Sequence, residues 1–149
     1  MGSDWQENLV TSFDDIADIL EQTRRIAVLG IKTEAQAGQP AIEVPRYMAE
    51  QGYEIVPVPV YYPEATEILD RPVYRAVADV PQPVDMVNVF RRSNDVAAHV
   101  DDILAARPRV VWMQLGISND EAAERFARAG IRVVQNRCLM VDHARMARR

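Results

Sequence analysis

Short apolar runs alternate along the chain with amphipathic segments, and this alternation predicts strand-helix-strand units. Five runs read as strands: Arg25 to Gly30, Glu54 to Val58, Met86 to Phe90, Val110 to Met113 and Arg132 to Val134. They are mostly continuous in their apolar character, as parallel strands covered on both faces are. Ser12-Phe13-Asp14-Asp15 precedes Ile16, Ile19 and Leu20, which predicts a leading helix at about 12–22. Ser93 opens a second segment in which Val96, Val100, Ile103 and Leu104 recur at helical spacing until Pro108 stops it. Ser118-Asn119-Asp120-Glu121 has the pattern of a capping box, and Gly130 sits where a left-handed residue ends a helix.

Two segments read less simply. Pro40 to Gln51 has a helical face at Tyr47 and Met48, but Pro45 removes a hydrogen bond if it lies beyond the first turn, which predicts a kinked or late start. Pro57 to Pro72 is proline-containing and reads as a long, largely irregular connection with room for one helical turn. Assembled with right-handed crossovers, the elements form a single α/β domain over 1–149. The expected fold is Rossmann-like, a five-stranded parallel sheet in the order 3-2-1-4-5 with helices on both faces.

Composition narrows the function. A net charge of −5 argues against nonspecific binding to nucleic acid or an acidic membrane and favours a small-molecule partner. Cys138 is the only cysteine, so no intramolecular disulfide forms, and a reducing cytoplasm is the simplest setting. His99 and His143 stand far apart without a ligand pattern, and no metal site is expected. No apolar stretch approaches a membrane span. Met1-Gly2 opens a myristoylation pattern that fails at Gln6, where Ser or Thr is required.

In an open parallel sheet, ligands sit beyond the carboxyl ends of the strands, so those ends carry the candidate chemistry. After the first strand come Gly30-Ile31-Lys32-Thr33 and then Gln39-Pro40 opening a helix, where free N–H groups and a helix terminus suit phosphate. Lys32 is the only lysine; it reads either as a phosphate contact or as an accident of an arginine-rich composition. The glycine pattern and the acidic residue of a dinucleotide site are missing. In place of that acid stand Val58, Pro59, Tyr61 and Tyr62, either an adenine wall or loop packing. Phe90-Arg91-Arg92 follows the third strand, and its arginine pair reads as a holder of phosphate or as a solvated pair at a helix start. After the fourth strand, Gln114 suits the amides of a pantetheine arm and Gly116 suits close approach, while Trp112 reads as core.

With these residues in view, the chain resembles the small stand-alone CoA-binding proteins, whose domain is similar to the CoA-binding domain of the succinyl-CoA synthetase α subunit. The resemblance runs from about Arg24 to His143 and rests on Val44-Pro45-Arg46-Tyr47-Met48, Gly52-Tyr53-Glu54-Ile55-Val56-Pro57-Val58, Pro83-Val84-Asp85-Met86-Val87, Phe90-Arg91-Arg92, Val111-Trp112-Met113-Gln114-Leu115-Gly116 and Asn136-Arg137-Cys138-Leu139-Met140. It implies that the Gly30 loop meets the phosphates of coenzyme A, that Val58 and Pro59 border the nucleotide, and that Phe90 and Arg91 help close the pocket. The chain departs from the family pattern in a longer loop at Thr33 to Gly38, in Gln39 where relatives carry Arg, in Pro59 in place of an Asn-Pro pair, and in Asn136 in place of Asp. Lys32 is then a substitute for the absent arginine.

The expected function is a non-catalytic module that binds or senses coenzyme A or an acyl-CoA. The alternative is an NADP- or flavin-dependent reductase with an atypical phosphate loop. Ligase chemistry would need a phosphorylated histidine, and neither His99 nor His143 has a supporting motif. Cys138 beside Arg137 reads as a packed thiol sooner than as a nucleophile. A phosphoacceptor domain is excluded, since Phe90 and Arg91 stand where its aspartate would be.

Overall fold

The computed structural model describes residues 4–149, so the Met1-Gly2 motif lies outside the described residues. The five expected runs are strands, each within one residue of its expected bounds: β1 (Arg25–Leu29), β2 (Glu54–Val58), β5 (Met86–Val89), β6 (Val110–Met113) and β7 (Arg132–Val134). Two further strands, β3 (Glu67–Ile68) and β4 (Arg71–Pro72), form a small antiparallel hairpin. Five α-helices accompany them: α1 (Phe13–Gln22), α2 (Pro40–Glu50), α3 (Val100–Ala106), α4 (Asp120–Arg128) and α5 (Leu139–Ala147).

Alternate residues of each strand feed two cores, one on each face of the sheet. Ile26 and Val28 of β1 pack with Trp112 and Val134 under α1, α2 and α5, around the fully buried Ile16, Ile42 and Met48. Ala27 and Leu29 face the other way, toward Val87, Val89 and Met113 and the buried Ile103 and Phe126 of α3 and α4. The α/β Rossmann-like arrangement with helices on both faces is therefore the one that the continuous apolar runs predict.

The main sheet is parallel in the order β2-β1-β5-β6-β7. Counted over its five strands alone this is 2-1-3-4-5, so the third strand lies beside the first and not beyond the second as in 3-2-1-4-5. Two features explain the placement. Pro57 lies in β2 and has no N–H for a ladder, which suits an edge strand. Its carbonyl, on the outer edge, accepts from Tyr74 N–H at 2.9 Å, so the connection itself covers the place of a sixth neighbour. β5, by contrast, is buried at all four positions and suits the centre. The other edge is covered by the N-terminal segment, where Val10 N–H donates to Val133 O at 2.8 Å.

Four local expectations change. α2 starts at Pro40 and continues through Pro45, without a late start. The connection after β2 contains the β3-β4 hairpin, whose turn residues Leu69 and Asp70 have φ of 53° and 61°, instead of a helical turn. That left-handed pair is the geometry of a tight hairpin turn without the Asn-Gly signal. The segment from Ser93 begins as a 3-10 turn over Ser93–His99 before α3. The Ser93 hydroxyl accepts from Ser118 N–H at 3.0 Å and does not cap its own helix start. Finally, Asn119 and not Ser118 caps α4, accepting from Ala122 N–H at 3.0 Å. Ser12 caps α1 as expected, accepting from Asp15 N–H at 3.2 Å. Among the described residues no helix is long and apolar enough to cross a membrane.

Candidate functional site

The order of strands reverses between β1 and β5, and the chain opens a cleft there of about 290 Å³ beyond their carboxyl ends. Its walls come from three strand ends. Gly30 and Lys32 follow β1, Phe90, Arg91 and Arg92 follow β5, and Gln114, Leu115 and Ile117 follow β6. Gln39, Pro40 and Ala41 at the start of α2 and Tyr61 of the loop after β2 complete it.

Gly30 is fixed by two constraints. Its φ is 87°, and a Cβ there would lie 2.2 Å from the carbonyl oxygen of Phe90. The loop after β1 can press against the end of β5 only because position 30 has no side chain. Phe90 N–H donates to Leu29 O at 2.8 Å and Gly30 N–H to Val58 O at 2.9 Å, so the three strand ends are held together at this point. Gly116 differs. Its φ is 86°, yet a Cβ would meet nothing within 4 Å, so glycine there serves the turn and not close approach. Its N–H donates to Asn136 Oδ1 at 2.7 Å.

The loop from Ile31 to Gln39 is internally braced. Ile31 is buried and anchors it, and Thr33 forms a capping box with Gln36 around a 3-10 turn, so neither lines the cleft. Lys32 N–H donates to Ala41 O at 3.1 Å, and the Lys32 ammonium donates to Gln39 Oε1. Ala41 O is the carbonyl that residue 45 would bond in an uninterrupted helix, and Pro45 leaves it free. The Ala41 N–H has no partner among the described residues and stands at the N-terminus of α2, where backbone dipoles favour an anion.

Val58 and Pro59 are buried and support the wall from behind. The exposed aromatic is Tyr61, which is 65% accessible and stands edge-on to Tyr62 at 6.5 Å. Arg75 organises this loop: its guanidinium donates to Tyr62 O at 3.0 Å and to Ala65 O at 2.8 Å. Arg91 is held from three sides. Its guanidinium lies 5.6 Å from the Tyr61 ring centre, Nε donates to His99 Nε2 at 3.1 Å, and Asp95 approaches Nη2 at 3.8 Å. His99 therefore presents a lone pair at Nε2. Burial, and then the neighbouring Arg91 charge, push its pKa below the ordinary 6.5. Arg92 is exposed, and its guanidinium has no hydrogen-bond or ion-pair partner among the described residues.

Gln114 is only 4% exposed. Its Oε1 accepts from Leu139 N–H at 3.3 Å and from Asn88 Nδ2 at 3.4 Å. A backbone N–H is always a donor, so the amide is oriented with oxygen inward. Asn88 is in turn fixed by donating to Trp112 O at 3.3 Å. Trp112 is core as expected, its indole N–H donating to Arg137 O at 2.8 Å. Arg137 is bound to the buried Asp142 through contacts of 2.6 and 2.9 Å, so its charge is directed there and away from Cys138.

Nine of the residues singled out in the sequence thus meet in one cleft: Gly30, Lys32, Gln39, Pro40, Tyr61, Phe90, Arg91, Arg92 and Gln114. Ile31, Thr33, Val58, Pro59 and Gly116 lie behind or beside it. Ala41, Leu115 and Ile117 are added by the structure. For Ala41 the signal was Pro45 four residues on. The lining holds three cations and no carboxylate, in a chain whose net charge is −5.

Comparison with known proteins places the fold. A Bacillus subtilis relative described as uncharacterized protein YneT is 32% identical over 130 residues, covering 87% of this chain and 93% of its own. A Thermus thermophilus structure superposes with a TM-score of 0.83 at 37% identity, covering 91% of this chain and 99% of that one. The fold also recurs in acetyl-coenzyme A synthetase 1 of Ca. Korarchaeum cryptofilum, with a TM-score of 0.63 at 22% identity over 78% of this chain and 27% of that one. The family profile described as the CoA binding domain matches residues 24–144, nearly the whole of the sheet and its helices, and the chain belongs to that family.

Proposed function

We propose that the protein binds coenzyme A, free or acylated, in the cleft between the ends of β1, β5 and β6, as a binding module without chemistry of its own. The observation that carries this reading is the concentration of Lys32, Arg91 and Arg92 in a lining free of carboxylates, in an acidic chain. A ligand with several phosphates matches three cations and a helix N-terminus. Gly30 supports the same fit, since a side chain there would collide with the Phe90 carbonyl and push apart the two strand ends that form the cleft.

Lys32, the Ala41 N–H and Gln39 bind the diphosphate; Arg91 and Arg92 take the phosphate on the ribose; Tyr61 offers its ring to the base. Gln114 faces the outer end of the pantetheine arm. The lining is made of cations, amides and apolar groups, which bind and orient, whereas acid-base catalysis near neutrality calls for a group with a pKa near 7 within reach of the ligand. A reducing cytoplasm suits the free thiol of Cys138.

Thermal unfolding with added ligand tests the reading. Coenzyme A at a hundred times its Kd stabilises the fold by about 2.7 kcal/mol, and 3′-dephospho-CoA binds more weakly because Arg91 and Arg92 lose their phosphate. A strong rise in Tm with NADP or FMN and none with coenzyme A contradicts it.

A further inference from the structure

The cleft does not end at Gln114. Leu115 lines it and also lines a second hollow at the start of α5, bounded by Asn136, Cys138, Val141 and the Arg137–Asp142 ion pair. Leu115 and Val141 are 65% and 58% exposed. With Val60 and Tyr61 they are the large apolar side chains most exposed among the described residues; Val60, Tyr61 and Leu115 follow the carboxyl ends of β2 and β6, and Val141 lies in the first turn of α5. Apolar exposure is therefore concentrated on the binding edge, where it marks contact with a ligand.

Next to Leu115, the residue common to both hollows, stands the buried Gln114. Its Oε1 is used by Leu139 N–H and Asn88 Nδ2, its Nε2 is unpartnered among the described residues, and the residue lines the cleft. The side chain thus offers a donor and no acceptor. An amide presents both a C=O and an N–H, and this position answers only the first. A thioester carbonyl asks for a donor alone. Past it, Leu115 and Val141 offer exposed apolar side chains on a hollow that the Arg137–Asp142 pair also borders, where free coenzyme A, ending in a thiol, has nothing to place.

We propose that the site selects the thioester of a short aliphatic acyl group, with Gln114 Nε2 donating to the thioester carbonyl and the acyl chain lying over Leu115 and Val141. This rests on the coenzyme A reading and narrows it to the acylated form. No bond is made or broken; Gln114 is a specificity-determining residue.

Isothermal titration of the full chain with free CoA, acetyl-CoA and butyryl-CoA tests the proposal. The expected result is tighter binding of the acyl forms, rising about twofold to fourfold per added methylene, since each methylene leaves water. Gln114→Glu keeps an oxygen for Leu139 N–H but turns an acceptor to the cleft, and brings the ratio of acyl-CoA to free CoA affinity close to one. Val141→Ser, at an exposed position with little effect on folding, abolishes the dependence on chain length. Thermal unfolding of both variants establishes that they fold. Equal affinity for free and acylated forms in the unaltered protein overturns the proposal and leaves the coenzyme A reading intact. Absence of binding by all three ligands overturns both.

Discussion

Lys32 and Ala41 are joined by a hydrogen bond that exists because of a third residue. The Lys32 N–H donates to Ala41 O at 3.1 Å, and Pro45, which has no N–H, leaves that carbonyl free. A proline inside a helix, a cost of about 3 kcal/mol in propensity, here couples the loop that carries Lys32 to the helix whose N-terminus faces the cleft. Pro45→Ala supplies a competing donor. It is expected to leave Tm equal or higher, to speed amide exchange at Lys32, and to weaken coenzyme A binding roughly threefold to tenfold, about 0.7–1.4 kcal/mol. Unchanged exchange at Lys32 contradicts the coupling.

The glycines at positions 30 and 116 share a positive φ and differ in space. Gly30→Ala adds overpacking against Phe90 O to the backbone penalty and is expected to cost about 2–4 kcal/mol. Gly116→Ala, facing open space, costs about 1 kcal/mol. Urea unfolding of the two variants measures the difference. Equal losses would mean that the β1 and β5 ends are not in the contact described.

Arg91 and Arg92 are placed to act differently. Arg91 is held by Tyr61 and His99, whereas Arg92 is exposed. A charge-assisted hydrogen bond contributes about 1.5–3 kcal/mol, so Arg91→Ala is expected to weaken coenzyme A binding about tenfold to a hundredfold. Arg92→Ala is expected to weaken it less, with a larger share lost to added salt. Calorimetric titration at two salt concentrations separates them.

Acid weakens the fold through its two histidines. Burial, and for His99 also the Arg91 charge, lowers both pKa values below 6.5 in the folded state, so the unfolded chain binds more protons as pH falls. Their contribution to stability is whole above 6.5 and is lost as pH drops through the depressed folded values. His99 then also loses the lone pair that accepts from Arg91, and His143 nitrogen Nδ1 is 2.9 Å from Tyr47 OH in a buried site. Urea midpoints are expected to fall between pH 7.5 and 5.5, and less so in His99→Gln and His143→Gln. A double variant with the full slope contradicts this assignment.

Burial decided what the sequence disclosed. Strands β1, β2, β5, β6 and β7 are covered on both faces, and their unbroken apolar runs made them legible almost to the residue. Sheet order was less so, because it depends on which edge stays open; Pro57, without an N–H, was the sign that β2 is an edge. The β3-β4 hairpin was hidden because Leu69 and Asp70 adopt left-handed φ without being glycine or asparagine. In the cleft, Gly30, Lys32 and Arg91 were legible from their places after strands. Tyr61 as the exposed face was not, since its position is set by Arg75, fourteen residues away. Nor was the orientation of Gln114, which depends on Leu139 from the last helix.

On the proposed function, coenzyme A occupies the cleft where β1 and β5 diverge. Titration of coenzyme A into the nitrogen-15-labelled protein, followed by amide chemical shifts, tests it most directly. Saturable shifts are expected at Gly30, Lys32, Ala41, Arg91 and Gln114, with little change at His143 and Tyr53 on the opposite end of the sheet. Saturation with shifts confined to that opposite end, or no shifts at all, would contradict it.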